Sequence, residues 1–187
     1  MKGILLSGIP ELFILAAAFI LGDGERLCAV FIAAVIHELG HMITAKMLGV
    51  KLRLCRADAA GISLKYDFSA VPHIKEAIIS AAGPFLGLLS FFICYKTGYT
   101  SYFAGASAAL SLFNLLPSSL LDGGCILSAL LSYILPPDTV WRICRITSVI
   151  SALFLWCTAV FVMLRTDGDM SVMIVSIYLI YRLFSEY

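Results

Sequence analysis

Long apolar runs separated by short charged stretches make up most of this chain. The runs fall at about residues 4–21, 27–47, 77–95, 102–116, 146–164 and 170–184, and a shorter one at 125–135 is closed by Pro136-Pro137. A hydrocarbon core about 30 Å thick takes about 20 apolar residues as a helix, and backbone groups in lipid must find their hydrogen bonds within the segment. The pattern therefore predicts an all-α polytopic membrane protein with about six transmembrane helices. The first run follows Lys2 as a signal peptide would, but it continues to Gly22-Asp23-Gly24 without an A-x-A cleavage pattern and reads as a retained span. No repeat, low-complexity tract or linker interrupts the chain, so residues 1–187 read as a single domain with its core at 27–135.

The stretch between the second and third spans has a different period. Val50-Lys51-Leu52-Arg53-Leu54 alternates apolar with basic residues, and Gly61-Ile62-Ser63-Leu64-Lys65-Tyr66 alternates again. Period-two patterning on either side of turn residues predicts a small β-hairpin, placed here on the cytoplasmic side of the bilayer.

Composition agrees with the class. The 187 residues are 61% hydrophobic and 13% charged, with a mean hydropathy of +0.98, against about 25% charged in soluble domains. A net charge of +1 excludes a nucleic-acid binder, which needs a basic face. With both termini in the cytoplasm, ten of the 13 Lys and Arg fall inside, as the positive-inside rule favours. The expected location is an integral, multi-pass position in a bacterial cell membrane, with the lipid bilayer as the chief surroundings. The six cysteines form no CxxC pair, which argues against a disulfide scaffold or a thiolate metal site.

Within the second apolar run stands His37-Glu38-Leu39-Gly40-His41, an HExxH motif. On a helix, a spacing of four puts both imidazoles on one face, one turn apart, where they can share a metal ion. Glu38, next to the first ligand, can act as general base toward a water at that metal. Ionisable groups at membrane depth are costly and are functional candidates by default. Zinc in a catalytic site takes three protein ligands and leaves a fourth position open. His73 sits in a basic loop and reads as a surface histidine. Asp122 is the better third ligand, within Asn114-Leu115-Leu116-Pro117-Ser118-Ser119-Leu120-Leu121-Asp122-Gly123-Gly124, although a helix cap would place an Asp there as well. Glu38 lies eight residues before Lys46 at the inner end of its span, about 12 Å deep at about 1.5 Å per residue. Asp122 follows a span that also runs inward, so the candidates meet in the cytoplasmic half of the bilayer.

Taken together, these residues resemble the site-2 protease family of intramembrane zinc metalloproteases. HELGH at residues 37–41 matches its first motif, Asn114 to Gly123 resembles its N-x-x-P-x-x-x-x-D-G pattern, and Ala82-Gly83-Pro84 resembles its A-G-P element. Where the family often has Asn three residues after that Pro, this chain has Gly87. In size and layout the chain is similar to the sporulation factor IVFB-type branch, with no counterpart of the PDZ or CBS domains of other relatives. The resemblance implies one Zn2+ per chain held by His37, His41 and Asp122, with Glu38 as catalytic base. It implies substrate-binding roles for Asn114, Gly83 and Pro84. It further implies a membrane-anchored regulatory protein as substrate, cleaved within or near its transmembrane segment, and control by a regulatory membrane partner, since no sensor domain is evident.

Two other classes compete with this reading. A metal-ion transporter would use the same four residues as a transit site, but transporters tend to show related halves with broken helices in corresponding places, and here the halves are dissimilar. A catalytically inactive membrane adaptor would not need the complete set of metal ligands and base that this chain carries.

Overall fold

The computed structural model describes residues 24–50, 52–58, 61–66, 71–98, 102–165 and Ile177. Five helices and two strands follow one another: α1 (Gly24–Met47), β1 (Leu52–Asp58), β2 (Gly61–Tyr66), α2 (His73–Lys96), α3 (Tyr102–Asn114), α4 (Asp122–Leu131) and α5 (Pro137–Arg165). The spans expected at 4–21 and 170–184 lie outside the described residues, Ile177 aside.

Among the described residues, three helices are long and apolar enough to cross a membrane: α1, α2 and the Pro137–Val162 part of α5. This corrects the expectation of about six spans. The apolar run at 102–116 becomes α3, which has 13 residues and reaches about 20 Å at about 1.5 Å per residue, short of the hydrocarbon thickness. The run at 125–135 contributes to α4, of 10 residues. In the other direction, Arg142 and Arg145, taken as loop residues, lie inside α5, whose start at Pro137 suits a residue without an N–H to donate. The expected fold is corrected on a second point. The extensive contacts of the helices are with other helices alone. β1 and β2 pair antiparallel with each other, Asp58 opposite Gly61, and no strand enters the helical body that holds the site.

The helices invert the usual distribution of side chains. Large apolar residues such as Phe31, Ile32, Leu39, Met42 and Ile43 face outward on α1, whereas the buried stripe carries Ala33, Ala34, His37, Glu38, His41 and Ala45. Lipid offers no hydrophobic reward for burying Leu, so membrane helices associate through small residues that let backbones approach. The crossing of α1 and α2 follows this rule closely. A Cβ on Gly40 would stand 2.6 Å from the Ala82 carbonyl oxygen and 3.0 Å from the Gly83 Cα. The closest approach of the two backbones is thus one residue from His41.

α1 ends by a defined device. Gly49 has a φ of 71°, a left-handed value that glycine adopts without penalty. The Val50 N–H donates to the Ala45 carbonyl at 2.9 Å and the Gly49 N–H to the Lys46 carbonyl at 3.2 Å, the pair of bonds that closes a helix in a Schellman motif. Val50, Ala45 and Ile79 then form a buried apolar cluster, and Lys75 donates from Nζ to the Leu48 carbonyl at 3.0 Å. These contacts set the height of α2 against α1.

Candidate metal centre

Three side chains converge where α1, α2 and α4 meet. His37 and His41 come from α1, one turn apart, with rings edge to face at 4.9 Å between centroids. Asp122 comes from the first turn of α4. The Asp122 Oδ2 lies 3.1 Å from His37 Nε2 and 3.2 Å from His41 Nε2, and the two Nε2 atoms are 3.3 Å apart. The exposure of the three residues is 1%, 1% and 5%. Glu38 is buried beside them, 6% exposed.

How Asp122 arrives there follows from the chain before it. α3 stops at Asn114, and Pro117 cannot continue a helix for want of an N–H. The Ser118 N–H turns back to the Leu116 carbonyl at 2.8 Å and the Leu121 N–H to the Ser118 carbonyl at 2.9 Å. Leu121 in extended conformation is the N-cap of α4 and supplies no side-chain cap. Asp122 is therefore a first-turn residue rather than the cap, and its carboxylate faces the histidines. This segment lies flat on α4 because Gly123 and Gly124 leave room for it: Cβ atoms there would stand 2.2 Å from the Leu115 carbonyl oxygen and 1.9 Å from that of Ser118. From the other side, Ser148 of α5 accepts from the Ser119 N–H at 2.8 Å and donates to the Cys144 carbonyl at 2.6 Å.

The donor set suits zinc. An ion held tetrahedrally at about 2.0–2.1 Å by imidazole nitrogen and carboxylate oxygen has its ligand atoms about 3.3 Å apart. The three observed edges, 3.1, 3.2 and 3.3 Å, match that figure, and the three residues form a group able to hold a metal ion. The orientation of His41 also fits. Its Nδ1 lies 2.7 Å from the Ile79 carbonyl oxygen, which can only accept, so Nδ1 carries the proton and Nε2 keeps its lone pair in the neutral ring. A ligating histidine is commonly oriented this way through its second nitrogen. The His37 Nδ1, by contrast, is buried with no hydrogen-bond partner among the described residues.

The other candidates separate into three groups. Asn114 is buried, but its Nδ2 donates to the Leu110 carbonyl of its own helix at 3.0 Å. Gly83 lies against the His41 ring, and Pro84 is buried within α2. His73 opens α2 far from the histidine pair in sequence and is half-exposed, 3.5 Å from Glu76. The Ile79 carbonyl and Ser148 were not foreseen. A main-chain acceptor leaves no mark in a sequence, whereas a buried serine in an apolar helix is a signal that a closer reading of 137–165 offers.

The described residues thus define a helical membrane protein with a buried two-histidine, one-aspartate group on an HExxH helix. No protein-family model matches the chain. It is 32% identical over 114 residues to the zinc metalloprotease MJ0392 of Methanocaldococcus jannaschii, covering 54% of this chain and 33% of that protein. It is 27% identical over 188 residues to stage IV sporulation protein FB of Bacillus subtilis, covering 95% of this chain and 64% of the relative. The chain therefore spans a third to somewhat under two thirds of these curated relatives. Its fold matches the solved site-2 protease from Methanocaldococcus jannaschii with a TM-score of 0.69 at 24% identity, over 94% of this chain and 87% of that one. By its motifs, these similarities and its fold, the chain belongs to the site-2 protease family.

Proposed function

We propose that the chain is an intramembrane zinc metalloendopeptidase that cleaves a membrane-anchored regulatory protein within or near its transmembrane segment. The observation that carries this reading is the triangle of His37, His41 and Asp122, with edges of 3.1 to 3.3 Å, next to Glu38. His37, His41 and Asp122 hold the ion. When bound, zinc supplies a water of pKa lowered to about 7 and a Lewis acid for the scissile carbonyl. Glu38 takes the proton of the attacking water and passes it to the leaving amine, which is general base and then general acid catalysis by one carboxyl. Burial of the group excludes bulk water, which strengthens each of these electrostatic contacts. Asn114 stands at the end of α3, 4% exposed, and orients substrate backbone by exchanging its bond to the Leu110 carbonyl for one to the substrate. One ion per chain, both termini in the cytoplasm of a bacterium, and a regulatory membrane partner complete the reading.

Two measurements test it together. Detergent-purified wild type is expected to hold about one zinc per chain, lost in both His37→Ala and Asp122→Ala. Glu38→Gln is expected to keep the metal and to lose cleavage of single-span test proteins reconstituted with it. A folded wild type without metal, or cleavage that survives Glu38→Gln, would overturn the mechanism.

A further inference from the structure

Glycine 83 has two properties that belong to the histidine beside it. A Cβ built on Gly83 would stand 2.2 Å from His41 Nε2, 2.5 Å from Cε1 and 2.8 Å from Cδ2. The nearest atom is the one that completes the triangle with His37 and Asp122. The other nitrogen of the same ring is held by the Ile79 carbonyl at 2.7 Å, one turn earlier on the same helix. The ring is thus bounded by α2 at both ends, by a carbonyl at Nδ1 and by a bare Cα at Nε2.

The ring has nowhere to go if Gly83 gains a side chain. Real Cβ atoms essentially never approach closer than 3.0 Å, so the 2.2 Å contact must open by about 0.8 Å, whereas metal–ligand distances tolerate about 0.2 Å. Rotating the ring away breaks the bond to Ile79. Moving the helices apart is opposed at the neighbouring position, where Gly40 already packs on the Ala82 carbonyl. His37 has no comparable seat: its Nδ1 lacks a partner among the described residues, and Gly83 contacts only the ring of His41 in its three nearest atoms.

We propose that Gly83 is a positioning residue of the metal site, working with the Ile79 carbonyl as a clip on α2 that fixes the His41 imidazole for metal binding. This rests on the reading of His41 as a ligand. It assigns to Gly83 a steric role toward the ligand instead of a role in binding substrate. The metal site then depends on α2, a helix that supplies none of its ligands.

The test compares Gly83→Ala with Gly87→Ala. Gly87 lies one turn further along α2, where a Cβ would stand 2.2 Å from Ser111 Oγ, an equally close contact with no route to His41. Co2+ and Zn2+ affinities are measured by chelator competition on purified protein, with the visible spectrum of the cobalt form as a record of ligand geometry. Gly83→Ala is expected to weaken both metals about tenfold or more, the size of effect typical for residues that orient a ligand, and to alter the cobalt spectrum. Gly87→Ala is expected to stay within about twofold of wild type. Equal affinity in wild type and Gly83→Ala, or equal losses in the two variants, would overturn the proposal.

Thermal unfolding of a double variant keeps the question decidable if Gly83→Ala does not fold, or if wild type binds no metal and the proposed function itself fails. With His41→Ala the ring is gone, so adding Gly83→Ala to it should cost no further stability. A Gly83→Ala penalty that persists undiminished in the His41→Ala background would show ordinary helix packing and overturn the clip.

Discussion

Replacing Gly124 by alanine tests how Asp122 is held. The new Cβ would stand 1.9 Å from the Ser118 carbonyl oxygen, 2.3 Å from its carbon and 2.8 Å from the Ser119 nitrogen. All three are main-chain atoms, so no change of rotamer relieves them. Reaching the 3.0 Å limit requires the Ser118 peptide and the start of α4 to separate by about 1.1 Å. If the loop moves, the 2.8 Å bond from the Ser119 N–H to Ser148 is lost. If α4 moves instead, Asp122 leaves its 3.1 and 3.2 Å contacts with the histidines. Overpacking costs about 1–3 kcal/mol and a lost hydrogen bond about 1 kcal/mol, offset by about 1 kcal/mol of better helix propensity. The net loss of about 1–3 kcal/mol corresponds to a fall in Tm of roughly 2–12 °C for a chain of this size. Zinc affinity should fall about tenfold, because the ligand triangle and the loop cannot both keep their geometry. Thermal unfolding with and without zinc, together with chelator competition, measures both quantities. Wild-type Tm and affinity in Gly124→Ala would refute the account of how Asp122 is positioned.

Other perturbations follow from the same contacts. Ser148→Ala removes the buried acceptor of the Ser119 N–H and should lower stability by about 1–3 kcal/mol, read as a shift in thermal unfolding. His73→Ala should leave zinc stoichiometry and stability unchanged within about 0.5 kcal/mol, since its contact with Glu76 is half-exposed at 3.5 Å and such pairs contribute little. Chelation should lower Tm reversibly: a ligand at a hundredfold excess over Kd stabilises by about 2.7 kcal/mol, and added zinc should restore the original transition.

The parts of the site that are legible in the sequence are those set by local spacing. A separation of four on one helix brings His37 and His41 to a common edge whatever surrounds them. Asp122 could be chosen as their partner because Pro117 and the two glycines mark a break in an apolar run, yet a cap role was equally open until Leu121 took that position. The number of membrane crossings was less accessible. Hydropathy measures a segment's affinity for an apolar medium and does not say whether lipid or neighbouring helices supply it. α3, with Ala104, Ser107, Leu110 and Ser111 buried, is apolar in part because it faces other helices. Gly83 illustrates a different limit. The sequence records an absent side chain, and only the structure tells what occupies the space.

The two histidines and the aspartate are separated by 85 residues, counted from His37 to Asp122, and the ring of His41 is seated by a third segment between them. Membrane helices insert individually and associate afterwards. When α1 has inserted, its two imidazoles lack both the carboxylate and the seat. Hydrolytic competence is therefore the last property this chain acquires during its biogenesis, after three separate segments have docked, and a newly inserted or misassembled copy poses no threat to neighbouring membrane proteins.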